Sequence, residues 1–180
     1  MPKRYAELWY SVAAIALTTA VYALAYRQAG TFPAAYSFIG HGIGVLGFVL
    51  MLMAETLYSI RKQMTHARWG RVDGWLRFHI VTGIVGPYMV LLHTSMRFRG
   101  LAGVLTLLTA VVVASGFVGR YLYTALPRFT KDAASDPGRL ARQRRWLALW
   151  HSLHVPVTWV LFALALIHCV GALYFATFLR

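Results

Sequence analysis

Cysteine and acidic residues are scarce in this chain of 180 residues. The one cysteine, Cys169, excludes an intrachain disulfide, and no Cys-x-x-Cys-His run is present for covalent haem attachment. Cys169 falls within an apolar run and reads as a small packing residue. Asp and Glu number 5 against 18 Lys and Arg, so paired-carboxylate chemistry has little material. A Gly-rich phosphate loop and a nucleophile elbow are also missing, and no repeat of 20–50 residues is evident. Zinc-finger spacing and aromatic–basic repeats are absent, so the net charge of +13 does not point to nucleic acid.

What the chain has in abundance is apolar sequence, 59% of its residues, arranged in long blocks. Crossing ~30 Å of hydrocarbon takes ~20 helical residues. Five blocks reach that length: about 8–26, 36–60, 76–96, 101–126 and 146–178. Helices satisfy their own backbone polar groups in lipid, so all five are expected to be helical. The expected fold is all-α, an integral membrane helical bundle with about five transmembrane helices and a four-helix core, in one domain over 1–180. Residues 8–26 also carry features of a signal peptide: Lys3 and Arg4 before them and Ala23-Leu24-Ala25 near their end. Arg27 and a short lead into the next span favour a retained helix. Trp9, Tyr10, Trp69, Trp75, Trp146 and Trp150 sit near expected interfaces, as aromatic belts do.

Positive charge lies between the spans. The amino terminus, the loop after span two and the loop after span four hold 14 of the 18 Lys and Arg. Arg27, Arg97, Arg99 and Arg180 make up the other side. The richer side should be cytoplasmic, which puts the amino terminus inside and the carboxyl terminus outside, in the periplasm of a bacterial inner membrane. Residues 127–145 read as the one substantial loop, with a turn signal at Asp136-Pro137-Gly138. Its stretch from Arg139 to Arg145 is either a basic helix at the lipid headgroups or a solvated linker.

Of seven histidines, only His66 is clearly in a loop. An ionisable residue inside a span is a functional candidate, although a histidine bonded to a neighbouring helix is a common structural device. Spacing separates the two readings. His79 and His93 are fourteen apart, and so are His154 and His168. Fourteen residues at ~100° each fall about 40° short of four turns, so each pair shares a face, with members ~21 Å apart along the axis. That separation is too long for one four-histidine zinc site and suits two metal centres stacked through the membrane. Spans three and five run in the same direction. His79 and His154 are then expected at one depth, near the cytoplasm, and His93 and His168 at another. Two imidazoles on opposite faces of a porphyrin need this placement, so two non-covalent b haems are the expected cofactors, with iron bound by these four side chains.

Glycines at 40, 42, 44 and 47, at 83 and 86, and at 103, 116 and 119 could flank a porphyrin plate or simply let helices pack closely. Arg77 and Arg120 near the inner level, and Arg97 and Arg99 near the outer, are candidate propionate contacts or interface anchors. His41, His151 and Glu55 are candidates for a quinone or proton site. Glu55 reads as the one carboxylate within a span, and His41 could instead cap its helix.

Two helices with paired histidines fourteen apart resemble the di-haem core of membrane b-type cytochromes. Those include cytochrome b of the quinol-oxidising bc complexes and the ferric reductase group. The run Phe78-His79-Ile80 through Gly86-Pro87 to His93-Thr94, and Ser115-Gly116-Phe117-Val118-Gly119-Arg120-Tyr121, are similar to bacterial stand-alone di-haem cytochromes b. The resemblance covers about residues 36–178. It implies axial ligation by His79, His93, His154 and His168. The further domains and the Pro-Glu-Trp-Tyr quinol motif of the larger relatives are missing. The expectation is therefore a transmembrane electron-transfer subunit of a respiratory or redox complex rather than an independent enzyme. Its partners would be membrane lipids and a cytochrome c, an iron–sulfur protein or a flavoprotein, with a quinone as a further candidate. One alternative is a quinol-oxidising or ferric- or oxygen-reducing enzyme with its own substrate site. Another is a non-redox scaffold in which the histidines only bond helix to helix.

Overall fold

The computed structural model describes residues 5–31, 33, 37–64, 70–131 and 137–178, with the side chains of 124–131, 137, 139 and 176–177 outside that description. Lys3, Arg4, His66, Arg68, Trp69, Asp136 and Arg180 therefore lie outside the described residues, as do the side chains of Arg128, Lys131 and Arg139. All regular structure among the described residues is helical. The order is α1 (Ala6–Ala29), α2 (Phe38–Gln63), α3 (Val72–His93), α4 (Gly100–Lys131) and α5 (Pro137–Phe178). Each contains a stretch long and apolar enough to cross a membrane. Large side chains such as Leu17, Leu107, Leu153, Ile167 and Phe175 are exposed, as lipid-facing residues are.

The chain forms two compact units, Met1–Phe98 and Arg99–Arg180. In the first, α2 and α3 make an antiparallel hairpin. The buried residues of α2 are Gly40, Gly44, Gly47, Met51 and Ala54, stepping by four and three alternately. That is the seam of a left-handed helix pair. On α3 the matching row is His79, Thr82, Gly86, Met89 and His93. Apolar surface gives helices no reason to associate in lipid, so close backbone packing by small residues has to supply the attraction. Gly47 and Gly86 supply it. A Cβ added at either would stand 2.8 Å from the other's carbonyl oxygen. α1 lies on another side of α3, where Thr19 and Tyr88 share a hydrogen bond of 2.6 Å and the Tyr22 hydroxyl donates to the Leu92 carbonyl.

In the second unit α4 and α5 form another hairpin, with Leu105, Thr109 and Gly119 buried on α4 and Thr158, Leu161 and Phe162 on α5. At 1.5 Å per residue the 42 residues of α5 extend about 63 Å, roughly twice the hydrocarbon thickness.

Several expected boundaries move. α3 ends at His93 instead of Met96, because Ser95 and Met96 take left-handed φ values of 50° and 60° that no helix continues. The Ser95 hydroxyl donates to the Pro33 carbonyl and fixes that turn. The expected loop at 127–145 is largely helix, since α4 continues to Lys131 and α5 begins at Pro137. Proline suits the first helical position, where its missing N–H costs nothing, and Leu140, Ala141 and Gln143 are good helix formers. Arg139–Arg145 is thus the first part of α5, not a separate headgroup helix or a linker. Nor is Glu55 alone as an intrahelical carboxylate. Glu7, in the first turn of α1, is 5% exposed.

The α2–α3 contact yields a paired expectation. Gly47→Leu should destabilise the protein by about 1–3 kcal/mol through overpacking. Gly42→Leu, where an added Cβ meets nothing within 4 Å, should change stability by no more than about 0.5 kcal/mol. Thermal unfolding in detergent micelles distinguishes them.

Candidate functional site

The hairpin register dictates what the α3 histidines meet. Ala54 lies opposite His79, Gly47 opposite Gly86 and Gly40 opposite His93, all in one antiparallel alignment. The Nδ1 atom of His79 is 2.8 Å from the Ala54 carbonyl oxygen, and that of His93 is 2.8 Å from the Gly40 carbonyl oxygen. The two acceptors are fourteen residues apart on α2, mirroring the fourteen between the histidines. A carbonyl oxygen only accepts, so Nδ1 carries the proton in both rings. In a neutral imidazole this leaves Nε2 as the basic, metal-binding nitrogen.

The second unit holds its histidine by other means. The Ser115 hydroxyl, in α4, lies 2.8 Å from the Val112 carbonyl and 2.6 Å from His154 Nδ1. The hydroxyl has one proton and two acceptors within reach. With that proton on the carbonyl, Ser115 Oγ accepts from His154 Nδ1–H and Nε2 is again the basic nitrogen. The Trp150 indole stacks on the His154 ring, with centroids 5.0 Å apart and planes at 26°, while its Nε1–H donates to the Ser115 carbonyl over 2.7 Å.

Glycines make room for these rings. A Cβ at Gly44 would stand 2.5 Å from His93 Cγ, and one at Gly119 would collide with the Trp150 indole. At Gly116 the nearest atom to an added Cβ is His154 Cε1 at 3.9 Å, an ordinary contact. Gly83 and Gly42 have open space instead.

The expected site residues separate into groups. His79 and His93 belong to the first unit, His154 and His168 to the second, and all four are partly exposed. His41 is exposed and its ring stands edge-on to His93 at 6.2 Å. It does not cap α2. Ser37 does, accepting from the Gly40 N–H. Glu55 directly follows Ala54 and lies within electrostatic reach of His79. His151 is exposed beside Trp150, with ring centroids 6.3 Å apart. Arg77, Arg97 and Arg99 are exposed and Arg120 is partly buried. Among the described residues, no three His, Cys, Asp or Glu side chains converge into a metal-ion cage.

Three contributors escape the sequence reading: Tyr58, whose ring lies 5.1 Å from that of His79, Ser115 and Trp150. Trp150 packs against a candidate ligand instead of serving only as an interface anchor. A signal for it was available. Trp75 precedes His79 by four residues, and Trp150 precedes His154 by four. The pattern Trp-x3-His-x13-His therefore occurs twice, 75 residues apart. The two occurrences differ in use: Trp75 packs on Phe78, while Trp150 packs on the histidine.

No family model matches the chain, and no curated protein and no solved structure matches it.

Gly44→Ala should push the His93 ring off the Gly40 carbonyl, whereas Gly116→Ala should leave His154 bonded to Ser115. Side-chain 15N NMR of histidine-labelled protein reads this as loss of the hydrogen-bonded Nδ1–H signal of His93 in the first variant, with that of His154 retained in the second.

Proposed function

We propose that this multi-pass membrane protein binds two b haems and passes single electrons between the two faces of a bilayer. One centre would use His79 with His154, the other His93 with His168. The observation that carries the reading is the shared tautomer. His79 and His93 have Nδ1–H engaged by carbonyls of a neighbouring helix, which leaves Nε2 as the coordinating atom, and Nδ1 of His154 is bonded across to Ser115. Haem-binding and metal-binding histidines characteristically have this outer hydrogen bond, which fixes ring orientation and raises ligand basicity. A simple helix-to-helix staple would be equally content with the other nitrogen. It would not call for the fourteen-residue repeat on two helices.

Bound haem supplies a one-electron couple. The chain's own residues supply the rest. α2 orients His79 and His93 through the carbonyls of Ala54 and Gly40. Ser115 and Trp150 orient His154. Two ligands per iron from different helices suffice for an axial pair, so no three-residue cage is required. With 14 of 18 cations on the amino-terminal side, that side is the cytoplasmic one in a bacterial inner membrane. A redox subunit such as a cytochrome c, an iron–sulfur protein or a flavoprotein would complete the chain of transfer. The exposed imidazole of His41 beside His93 favours, as a second reading, quinol oxidation at the outer level. That reading requires quinol to reduce the haem in the isolated protein and His41→Ala to abolish the reduction.

Haem content of the purified full chain tests the main reading. The wild type should carry two haems. His79→Ala and His154→Ala should each remove one, and combining them should remove no more. His79→Ala with His93→Ala should remove both. Unchanged haem content in the single variants would refute the assignment.

A further inference from the structure

We infer that Ser115 is a positioning residue that fixes the proton and the basicity of His154, and so sets the reduction potential of the centre His154 serves independently of the other centre. The inference rests on the haem reading above and adds a determinant that the axial ligands alone do not supply.

The acceptors for the histidines differ in kind. His79 and His93 donate to main-chain carbonyls at 2.8 Å, which are part of α2 itself. His154 Nδ1 shares a 2.6 Å hydrogen bond with a side-chain hydroxyl, which accepts from Nδ1–H when its own proton is on the Val112 carbonyl, and the inference rests on that arrangement. A hydroxyl that donates to a carbonyl is polarised and becomes a better acceptor. Electron density drawn toward Nδ1–H passes through the ring to Nε2. A more basic Nε2 stabilises ferric over ferrous iron and lowers the potential.

The rest of the cluster holds this arrangement still. Trp150 donates its Nε1–H to the Ser115 carbonyl and lays its ring on His154. Gly119 gives the indole its place, and Thr158 donates to the His154 carbonyl one turn on. The imidazole is fixed on one face by stacking and at one nitrogen by Ser115, so loss of the hydroxyl removes the acceptor without freeing the ring. An Nδ1–H without its partner makes a poorer electron donor of Nε2.

Spectroelectrochemical titration of the purified full chain tests this with Ser115→Ala, Ser115→Cys and Ser115→Thr. The expected result is that S115A keeps both haems and raises one midpoint, by about tenfold in the reduction equilibrium, or ~59 mV for one electron, while the other midpoint stays in place. S115C, with a weak sulfur acceptor, should fall between, and S115T, which restores the hydroxyl, should return to the wild-type value. If both midpoints move together, or neither moves in S115A and S115C, the role of Ser115 is overturned while the haem assignment stands. Should S115A lose haem, the inference still requires S115C to show the single upward shift, and an S115C protein with wild-type midpoints overturns it. A wild-type protein that contains no haem overturns the underlying reading instead.

Discussion

Close approach of α2 and α3 at Gly47 and Gly86 is the contact on which the first unit depends. Two helices in lipid have no hydrophobic drive to associate, so the attraction comes from backbone surfaces brought within van der Waals range. The two glycines allow that approach and also fix the register, since neither can slide without a side chain entering the gap. Once they are opposed, Ala54 must face His79 and Gly40 must face His93, each one heptad away along the seam. Histidine orientation in this unit is therefore a consequence of helix packing. Gly44 adds the remaining condition by leaving space for the His93 ring.

The second unit solves the same problem with side chains. On α5, Gly171 meets nothing within 4 Å, and on α4 Gly119 meets the Trp150 indole and not a facing backbone. The His154 ring is held by a hydroxyl on α4 and an indole on α5. Backbone acceptors are invariant under substitution, whereas Ser115 and Trp150 can be exchanged. Two hairpins that share the Trp-x3-His-x13-His helix thus orient their histidines by means with different scope for adjustment. With the two proposed centres in place, such a difference would be a means of separating their potentials.

Much of the fold was legible in the sequence. Long apolar runs identify five helices because lipid leaves the backbone few alternatives, and the four histidines stand out because polar groups in such runs need a reason. Helix ends were less legible. α5 begins at Pro137, well before Trp146, because arginine, alanine, leucine and glutamine sustain a helix in water as readily as apolar residues do in lipid, and hydropathy responds only to the latter. The end of α3 at His93 depends on left-handed turn residues tied to Pro33, which no local pattern announces. At the site, ligand candidates were visible but their orienting partners were not. Gly40 and Ala54 act through main-chain carbonyls, which carry no side-chain signature. Ser115 resembles any small residue in a helix until His154 is placed beside it.

The central claim is that Nε2 of these histidines binds haem iron, and nitrogen hyperfine couplings report on that bond directly. Pulsed EPR of the oxidised protein, grown with 15N-labelled histidine and purified as the full chain, should show two ferric haem centres. Each should couple strongly to two labelled imidazole nitrogens. A protein that contains no ferric haem, or whose iron couples to fewer than two histidine nitrogens at each centre, would contradict the account.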